Sequence, residues 1–326
     1  MPCRAGVPAP NLAARMAPVR FHERGGVSYR TLESRSLLNR CVGKRVPFDW
    51  TVNPYRGCAL GCRYCYATYT HEFMGIAQPE EFHSTVFVKR GAEAGTARAL
   101  APIVRRAGLI ALGTATDPYQ PAEATEQVTR RFLALVSQHR GVRLAITTKG
   151  ALILRDLDLL RRIHERSRLS LQVSLISPVA GLLRRVEPWA PAPEARLEMM
   201  RRLVGAGLDV GLSLAPVLPG ITDGELDLAE LLERVAAVGV RRMSSAFLFL
   251  RSPTREKYLR WLAAEFPRLS EAYERAYASR SYLGGGYRRR VGALIERLRG
   301  RFGLAQGHGP AGHDPAPAAQ LGLWGA

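Results

Sequence analysis

Three of the chain's five cysteines, Cys58, Cys62 and Cys65, fall within eight positions of the stretch NPYRGCALGCRYCYATYTHEFMG, residues 53 to 75. A C-x3-C-x2-C cluster is a poor disulfide set, because reducing compartments keep thiols free and the count is odd. Metal binding is the chemistry that suits it. A structural zinc site wants four ligands, commonly as two separated pairs, and only His71 stands close by as a fourth. An iron–sulfur cubane can instead take three thiolates and leave one iron open to a substrate or cofactor. The other two cysteines, Cys3 and Cys41, lie upstream and read as free thiols of the ordinary buried kind.

Such a loop needs a frame to hold it. Five apolar runs read as strands: LIALGTA (109 to 115), RLAITTK (143 to 149), LSLQVSLIS (169 to 177), LDVGLSLAPV (208 to 217) and MSSAFLFL (243 to 250). Their hydrophobicity is continuous, the pattern of strands buried on both faces. Between them, Ile153, Leu157 and Leu160, then Leu197, Met200 and Leu203, then Leu228, Leu231, Leu232 and Val235 recur at helical spacing as core-facing stripes. Thr222 and Glu225 form a capping-box pattern at the start of the third helix. Alternating strands and helices define an α/β fold of parallel strands with right-handed crossovers, closed or nearly closed into a barrel. Ligands then bind at the C-terminal ends of the strands. The segments expected there are polar: GTATDPYQPAE, TTKG, VSLIS and APVLPGITD.

The 326 residues are 47% hydrophobic, enough for one sizeable domain with appendages. The apolar runs fall short of the ~20 residues a membrane span requires, and MPCRAGVPAP is no secretory segment, so a cytoplasmic location is expected. A net charge of +19 favours acidic partners, nucleic acid among them. A bias toward Arg, with only four Lys in the chain, is the alternative source of that charge. Two basic flanks concentrate it, residues 1 to 50 and YRRRVGALIERLRGR (287 to 301).

GCALGCRYC, with an aromatic directly before the third cysteine, resembles the signature of the radical S-adenosylmethionine (radical SAM) enzymes. Across roughly residues 45 to 250, the fuller set NPYRGC, YCYA, TDPYQPAE, TTKG, RVEPWAPAPEARLEMMRRL and APVLPGITD is similar to the spore photoproduct lyase-like branch. The resemblance implies a partial TIM-type (β/α)6 barrel over residues 45 to 250. A basic N-terminal extension (1 to 44), a C-terminal helical region (251 to 302) and a flexible tail (303 to 326) complete the organisation. It also implies that Cys58, Cys62 and Cys65 bind a 4Fe-4S cluster whose fourth iron chelates S-adenosylmethionine. An electron from a reductase, flavodoxin or ferredoxin then cleaves the sulfonium, giving methionine and a 5′-deoxyadenosyl radical that abstracts hydrogen from a substrate.

On positions that match the family, Tyr64 lies near the adenine or simply packs the cluster loop. Gly113, Thr114, Ala115, Thr116 and Asp117 hold the methionine amino group, or form a turn capped by Asp117 and Pro118. Lys149 meets a cofactor carboxylate or a substrate phosphate, with a solvated lysine as the alternative. Ser174, with Gln172 as a companion, contacts the ribose or the methionine carboxylate, or is satisfied locally. Glu123 reads as an acid at a helix N-terminus. Arg184 and Glu187 read as a surface ion pair or a charged site at the opening. His71 orients the loop or is an ordinary, partly buried histidine.

Spore photoproduct lyase relies on a cysteine downstream of the cluster to return hydrogen, and no cysteine follows Cys65 here. Radical chemistry on DNA, in the manner of photoproduct repair, is the leading expectation. Modification of RNA or protein, or a non-catalytic metal-stabilised nucleic-acid adaptor, are the others. The Gly-, Pro- and Ala-rich tail ends in QLGLW, where Gln320, Leu321, Leu323 and Trp324 resemble the peptide that docks on the DNA polymerase sliding clamp.

Overall fold

A computed structural model describes residues 22–24, 26–42, 46–76 and 78–307. The tail motif at 320–324 and Cys3 lie outside them. Strands β1 (His22–Arg24), β2 (Val27–Glu33), β3 (Leu38–Arg40), β4 (Trp50–Val52), β5 (Tyr55–Arg56) and β6 (Thr85–Arg90) occupy the N-terminal third. Strands β7 (Leu109–Leu112), β8 (Arg143–Thr148), β9 (Arg168–Ser174), β10 (Val210–Val217), β11 (Arg242–Phe247) and β12 (Ala305–Gln306) follow. Helices α1 (Glu93–Arg105), α2 (Glu123–Glu126), α3 (Val128–Ser137), α4 (Leu157–Arg166) and α5 (Ala180–Val186) alternate with the earlier of these strands. Then come α6 (Pro193–Gly205), α7 (Glu225–Ala237), α8 (Thr254–Glu265), α9 (Pro267–Tyr277) and α10 (Gly285–Arg301).

An eight-stranded sheet in the order β12-β11-β10-β9-β8-β7-β4-β3 carries the fold. From β4 to β12 every pairing is parallel, and only β3 runs antiparallel at one edge. The six strands β4, β7, β8, β9, β10 and β11 are therefore spatial neighbours in chain order, the arrangement of the expected (β/α)6 unit. Pairing among the described residues leaves β3 and β12 as edges, so the sheet is open. All five strands expected from apolar runs are present. The first barrel strand, β4, is three residues long, too short to give a periodic signal, and takes its place by pairing Thr51 with Ala111.

Burial on both faces holds for β7 and nearly all of β9, but β8 alternates, with Leu144, Ile146 and Thr148 buried and Arg143, Ala145 and Thr147 half-buried. Leu144 and Ile146 join the apolar core, and the other face of β8 carries a lighter lining. The second and third helical stripes are buried as expected, Leu228, Leu231, Leu232 and Val235 lying at 0 to 1% exposure in α7, whereas the first is split: Ile153 is buried in a tight turn over 151–156 ahead of α4, Leu157 is half-buried, and Leu160 is buried with Leu159 and Ile163.

The capping box at Thr222 and Glu225 does not form. Gly224 takes the N-cap of α7, and the Thr222 hydroxyl instead accepts the Leu218 N–H at 2.8 Å, closing the turn after β10. Glu225 pairs with Arg297 on α10 at 2.7 Å, a tertiary contact that outcompetes the local one.

Residues 22–24 and 27–33, within the N-terminal basic stretch, form β1 and β2 of a second sheet, β1-β2-β6-β5. Cys41, expected as a free thiol, is disulfide-bonded. No helix among the described residues is long and apolar enough to cross a membrane.

Candidate active site

The cysteine loop leaves the C-terminal end of β4 and is pinned from several sides. Asn53, the first residue beyond the strand, donates from Nδ2 to Thr114 Oγ1 at 3.0 Å and accepts the Ala115 N–H at 2.8 Å. The Gly57 carbonyl accepts from Thr116 Oγ1 at 2.6 Å and from Gln120 Nε2 at 3.2 Å, while Gln120 Oε1 accepts the Ala59 N–H at 2.9 Å. His83 donates from Nδ1 to the Cys58 carbonyl at 2.9 Å, and Thr254 Oγ1, at the start of α8, donates to the Cys65 carbonyl at 3.1 Å. These bonds fix the backbone, so the three thiols are placed by tertiary contacts and not by the loop's own propensity.

Beside the thiols lies a buried charge network. Glu187 and Arg196 are fully buried and ion-paired, and the Tyr64 hydroxyl donates to Glu187. Arg196 also donates to the Ser174 carbonyl at 2.9 Å and the Pro191 carbonyl at 2.7 Å, tying the end of β9 to the start of α6. Lys149 Nζ sits 3.9 Å from Glu187 and 5.7 Å from the centre of the Tyr64 ring. Burial works against the Lys149 charge, yet the neighbouring Cys62 sulfur and Glu187 carboxylate hold its pKa above the usual lysine value. Burial likewise opposes the Glu187 carboxylate, and Arg196 and then Lys149 outweigh it, so the group titrates below the usual range.

The turn expected to hold the cofactor is present after β7. Gly113 has φ of +90°, and a Cβ there would lie 2.4 Å from the Thr147 carbonyl, so only glycine lets the chain cross the end of β8. Asp117 is spent inside the protein. Its Oδ1 accepts from Thr148 Oγ1 at 2.6 Å and the Tyr119 N–H at 2.8 Å, and its Oδ2 accepts the Lys149 N–H at 2.7 Å. Thr116 is committed to Gly57, and Thr114 to Asn53. Ser174 is buried, its hydroxyl only within 3.5 Å of the Ala215 carbonyl, while both amide atoms of Gln172 are buried without a protein partner. A buried amide of that kind is satisfied by water or a ligand.

Other expectations are redistributed. Glu187 pairs with Arg196, nine residues on, and Arg184 is exposed on α5, so neither surface ion pair nor opening site describes them. Glu123 stands at the N-terminus of α3, accepting the Thr129 and Arg130 N–H groups at 2.9 and 3.1 Å. His71 is buried, donates to the Thr85 carbonyl at 2.9 Å, and packs against Phe82 and Phe87, bracing the loop at Gly57. Arg196, Gln120, Asn53 and His83 escaped the sequence reading. All but His83 lie inside quoted motifs, Asn53 in NPYRGC, Gln120 in TDPYQPAE and Arg196 in RVEPWAPAPEARLEMMRRL, but the spacing of none of them shows that its side chain turns toward the thiols.

Burial, then Asp117 and Cys65, push the Cys58 thiol up to about 12, and burial raises Cys62 and Cys65 as well. Metal uptake must therefore displace protons. No three His, Cys, Asp or Glu side chains among the described residues converge on one ion. Cys58 and Cys62 are buried and Cys65 is half-buried along one pinned loop, a donor set that suits a cubane, where each thiolate takes a different iron.

Residues 52–232 match the model of the radical SAM superfamily, and the chain belongs to that superfamily. An uncharacterized protein of Mycobacterium tuberculosis is 35% identical over 294 residues, which cover 90% of this chain and 86% of the relative. An uncharacterized protein of Methanocaldococcus jannaschii is 27% identical over 186 residues, 56% of this chain and 65% of its own. Among solved structures, a mutant of spore photoproduct lyase superposes with a TM-score of 0.66 at 16% identity, covering 85% of this chain and 81% of that one. A mutant of the same lyase with bound AdoMet and dinucleoside spore photoproduct gives 0.63 at 14% identity, with the same coverage. The shared feature is the α/β radical SAM fold.

Proposed function

We propose that this chain is a radical enzyme that cleaves S-adenosylmethionine reductively at a 4Fe-4S cluster held by Cys58, Cys62 and Cys65, and acts on DNA. The observation that carries the reading is the meeting of three thiols, two buried and one half-buried, with the Lys149, Glu187 and Arg196 network at the C-terminal end of one parallel sheet. When bound, the cluster and cofactor supply a 5′-deoxyadenosyl radical. The chain's own residues bind, orient and exclude water. Lys149 offers an ammonium to the cofactor carboxylate, the Tyr64 ring lies under that ammonium beside the adenine site, and Ser174 offers a hydroxyl. Thr114, Thr116 and Asp117 hold the turn whose backbone faces the methionine amino group.

Support for nucleic acid comes from the start of α10. Arg289 and Arg290 are exposed there, Arg288 stacks 5.7 Å from the Tyr282 ring, and Tyr282 packs 4.9 Å from Phe249, just past β11. A basic, aromatic-lined patch thus stands at the same end of the sheet as the cysteine loop, suited to phosphates and bases. Repair of damaged bases in the cytoplasm, lyase-like, is the favoured reaction. Because no cysteine follows Cys65, hydrogen return differs from the thiol route, and modification of RNA or protein is the second reading. The QLGLW peptide is proposed to tether the enzyme to the sliding clamp.

The decisive experiment tracks deuterium from labelled oligonucleotides into 5′-deoxyadenosine by mass spectrometry, using anaerobically reconstituted protein reduced with dithionite. Transfer from DNA is expected; cofactor cleavage without transfer from any nucleic acid refutes the substrate. The triple variant R288A/R289A/R290A should lose salt-dependent duplex binding, and L323A/W324A should lose capture by the clamp.

A further inference from the structure

The chain enters the cysteine loop through β5 and leaves it through the turn helix Tyr66–Met74, and both border one patch of the second sheet. β5 pairs antiparallel with β6, Tyr55 opposite Val88 and Arg56 opposite Phe87. Residues directly opposite share a face, as do residues two apart along a strand, so Arg56 and Lys89 are diagonal neighbours on one face, roughly 7–8 Å apart. Over that face the turn helix places the Thr70 carbonyl, which accepts from Arg56 Nη1 at 3.2 Å, and the Phe73 ring, whose centre lies 5.9 Å from the guanidinium. Both cations are half-buried, and no described carboxylate acts on either. Arg196 and Arg155, by contrast, are each met by a buried glutamate. Two like charges drawn out of water without a counter-charge are costly. The cost shows on the amine, since burial, then the Arg56 charge, pull the Lys89 pKa down to about 7. The other titratable groups turned to this face are Arg30, opposite Phe87 on β2, Tyr69 near Arg56, and His71, whose ring packs on Phe87; none of them is an acid at neutral pH.

The missing counter-charge is an anion from outside the chain, and the surroundings say what kind. Phe73 is 41% exposed, an open ring beside the cations on which a base can stack. Tyr69, edge-on to Phe73 at 5.9 Å, also lines a cavity of about 160 Å³ with Tyr66, Glu72, Phe249 and Arg251. That space is well below the roughly 300–1,000 Å³ of a pocket for a whole small ligand, and suits one fragment of a larger molecule. A seat for negative charge, an open aromatic ring and a fragment-sized cavity, joined through Tyr69 and Phe73, match a polymer that presents phosphates and bases in turn. Deepening the nucleic-acid reading above, on which it rests, we propose that Arg56 and Lys89 seat one phosphate of a nucleic-acid strand beside the cysteine loop. Arg56 precedes Cys58 by two residues, and Thr70 and Phe73 follow Cys65, so the seated strand is held against both ends of that loop. The phosphate supplies the charge that keeps Lys89 protonated.

The test uses anaerobically reconstituted full-length protein without S-adenosylmethionine, and fluorescein-labelled oligonucleotides, single-stranded and duplex, read by anisotropy across a salt series and a pH series. Lys89→Met should weaken binding about tenfold and lower the salt slope by about one phosphate contact, with the melting midpoint unchanged or raised because an unpaired charge is gone. In the unmutated protein binding needs the ammonium, so affinity should hold below the free amine's pKa of about 7 and fall above it. Lys89→Arg, charged throughout, should keep the affinity and lose that fall. Wild-type affinity and salt slope in Lys89→Met, or an undiminished fall with pH in Lys89→Arg, overturns the proposal. Inorganic phosphate, titrated by calorimetry, separates the sources: uptake that depends on Lys89, with oligonucleotide binding indifferent to Lys89→Met, overturns the strand as the occupant. If only R288A/R289A/R290A loses oligonucleotide binding, the nucleic-acid reading stands and this seat is refuted. An unmutated protein that binds no oligonucleotide refutes that reading instead, and the phosphate titration then decides whether Arg56 and Lys89 hold an anion.

Discussion

Two buried networks in this protein use nearly the same parts for different ends. In one, a Tyr64 hydroxyl and Arg196 converge on Glu187; in the other, a Tyr55 hydroxyl and Arg155 converge on Glu123. Glu123 is closed off. It accepts two backbone N–H groups at the start of α3 as well, and its arginine is shared with Asp156, which Arg130 also pairs at 2.7 Å. Arg130 and Arg155 reach partly to water, so this network is a bracket between α3 and residues 151–158. The Glu187 network instead holds Lys149 beside the thiols with its ammonium loosely paired. A buried acid with every lone pair spent stabilises the fold, whereas one that holds a nearby cation in place can serve a ligand.

That contrast is open to attack by mutation. Arg196→Met leaves the buried Glu187 charge with only the distant Lys149 ammonium for a cation and should cost about 3–5 kcal/mol in urea unfolding. The double variant Arg196→Met with Glu187→Leu should recover most of that stability without recovering cofactor binding. Lys149→Met removes a charge-assisted contact of about 1.5–3 kcal/mol, so S-adenosylmethionine affinity should fall roughly 10- to 100-fold by calorimetry while the melting midpoint moves little. Glu123→Gln should show the opposite: a loss of about 1–3 kcal/mol in stability with iron content and cofactor affinity per folded molecule unchanged. A fall in affinity there would erase the distinction between the two networks.

A smaller effect concerns pH. Burial, and next the nearby Lys257 charge, hold His83 neutral, with a pKa of about 3 in the folded chain. An unfolded histidine titrates near ~6.5, so below that the unfolded state binds the extra proton. The contribution is complete above pH ~6.5 and is lost toward pH ~3, at about 1.4 kcal/mol per pH unit. His83→Gln should flatten the decline in apo-protein stability between about pH 6.5 and 5, and an unchanged slope would show that another group titrates there.

Legibility followed the range of the interaction. The strands β7 to β11 were readable because each is a run of apolar residues long enough to carry its own signal, as in LSLQVSLIS. β4 was not, since three residues have no period and the strand exists only through its partners β3 and β7. The capping box failed for the same reason: Thr222 found Leu218 and Glu225 found Arg297. Glu187 looked like a surface acid beside Arg184, although the helix that begins at Pro193 brings Arg196 back to it.

The sequence alone determined the three thiols, their order and the α/β alternation around them, because those depend on spacing along a few residues or on the burial tendency of whole segments. Which charged and polar groups face the thiols was decided by tertiary structure. Glu187 is drawn inward by Arg196, Asp117 is consumed by Thr148 and Lys149, and Trp189 is laid on Gly61 by bonds between segments more than a hundred residues apart. A hydrogen bond or ion pair depends on position in space to within a few tenths of an ångström, and the folded chain alone supplies that.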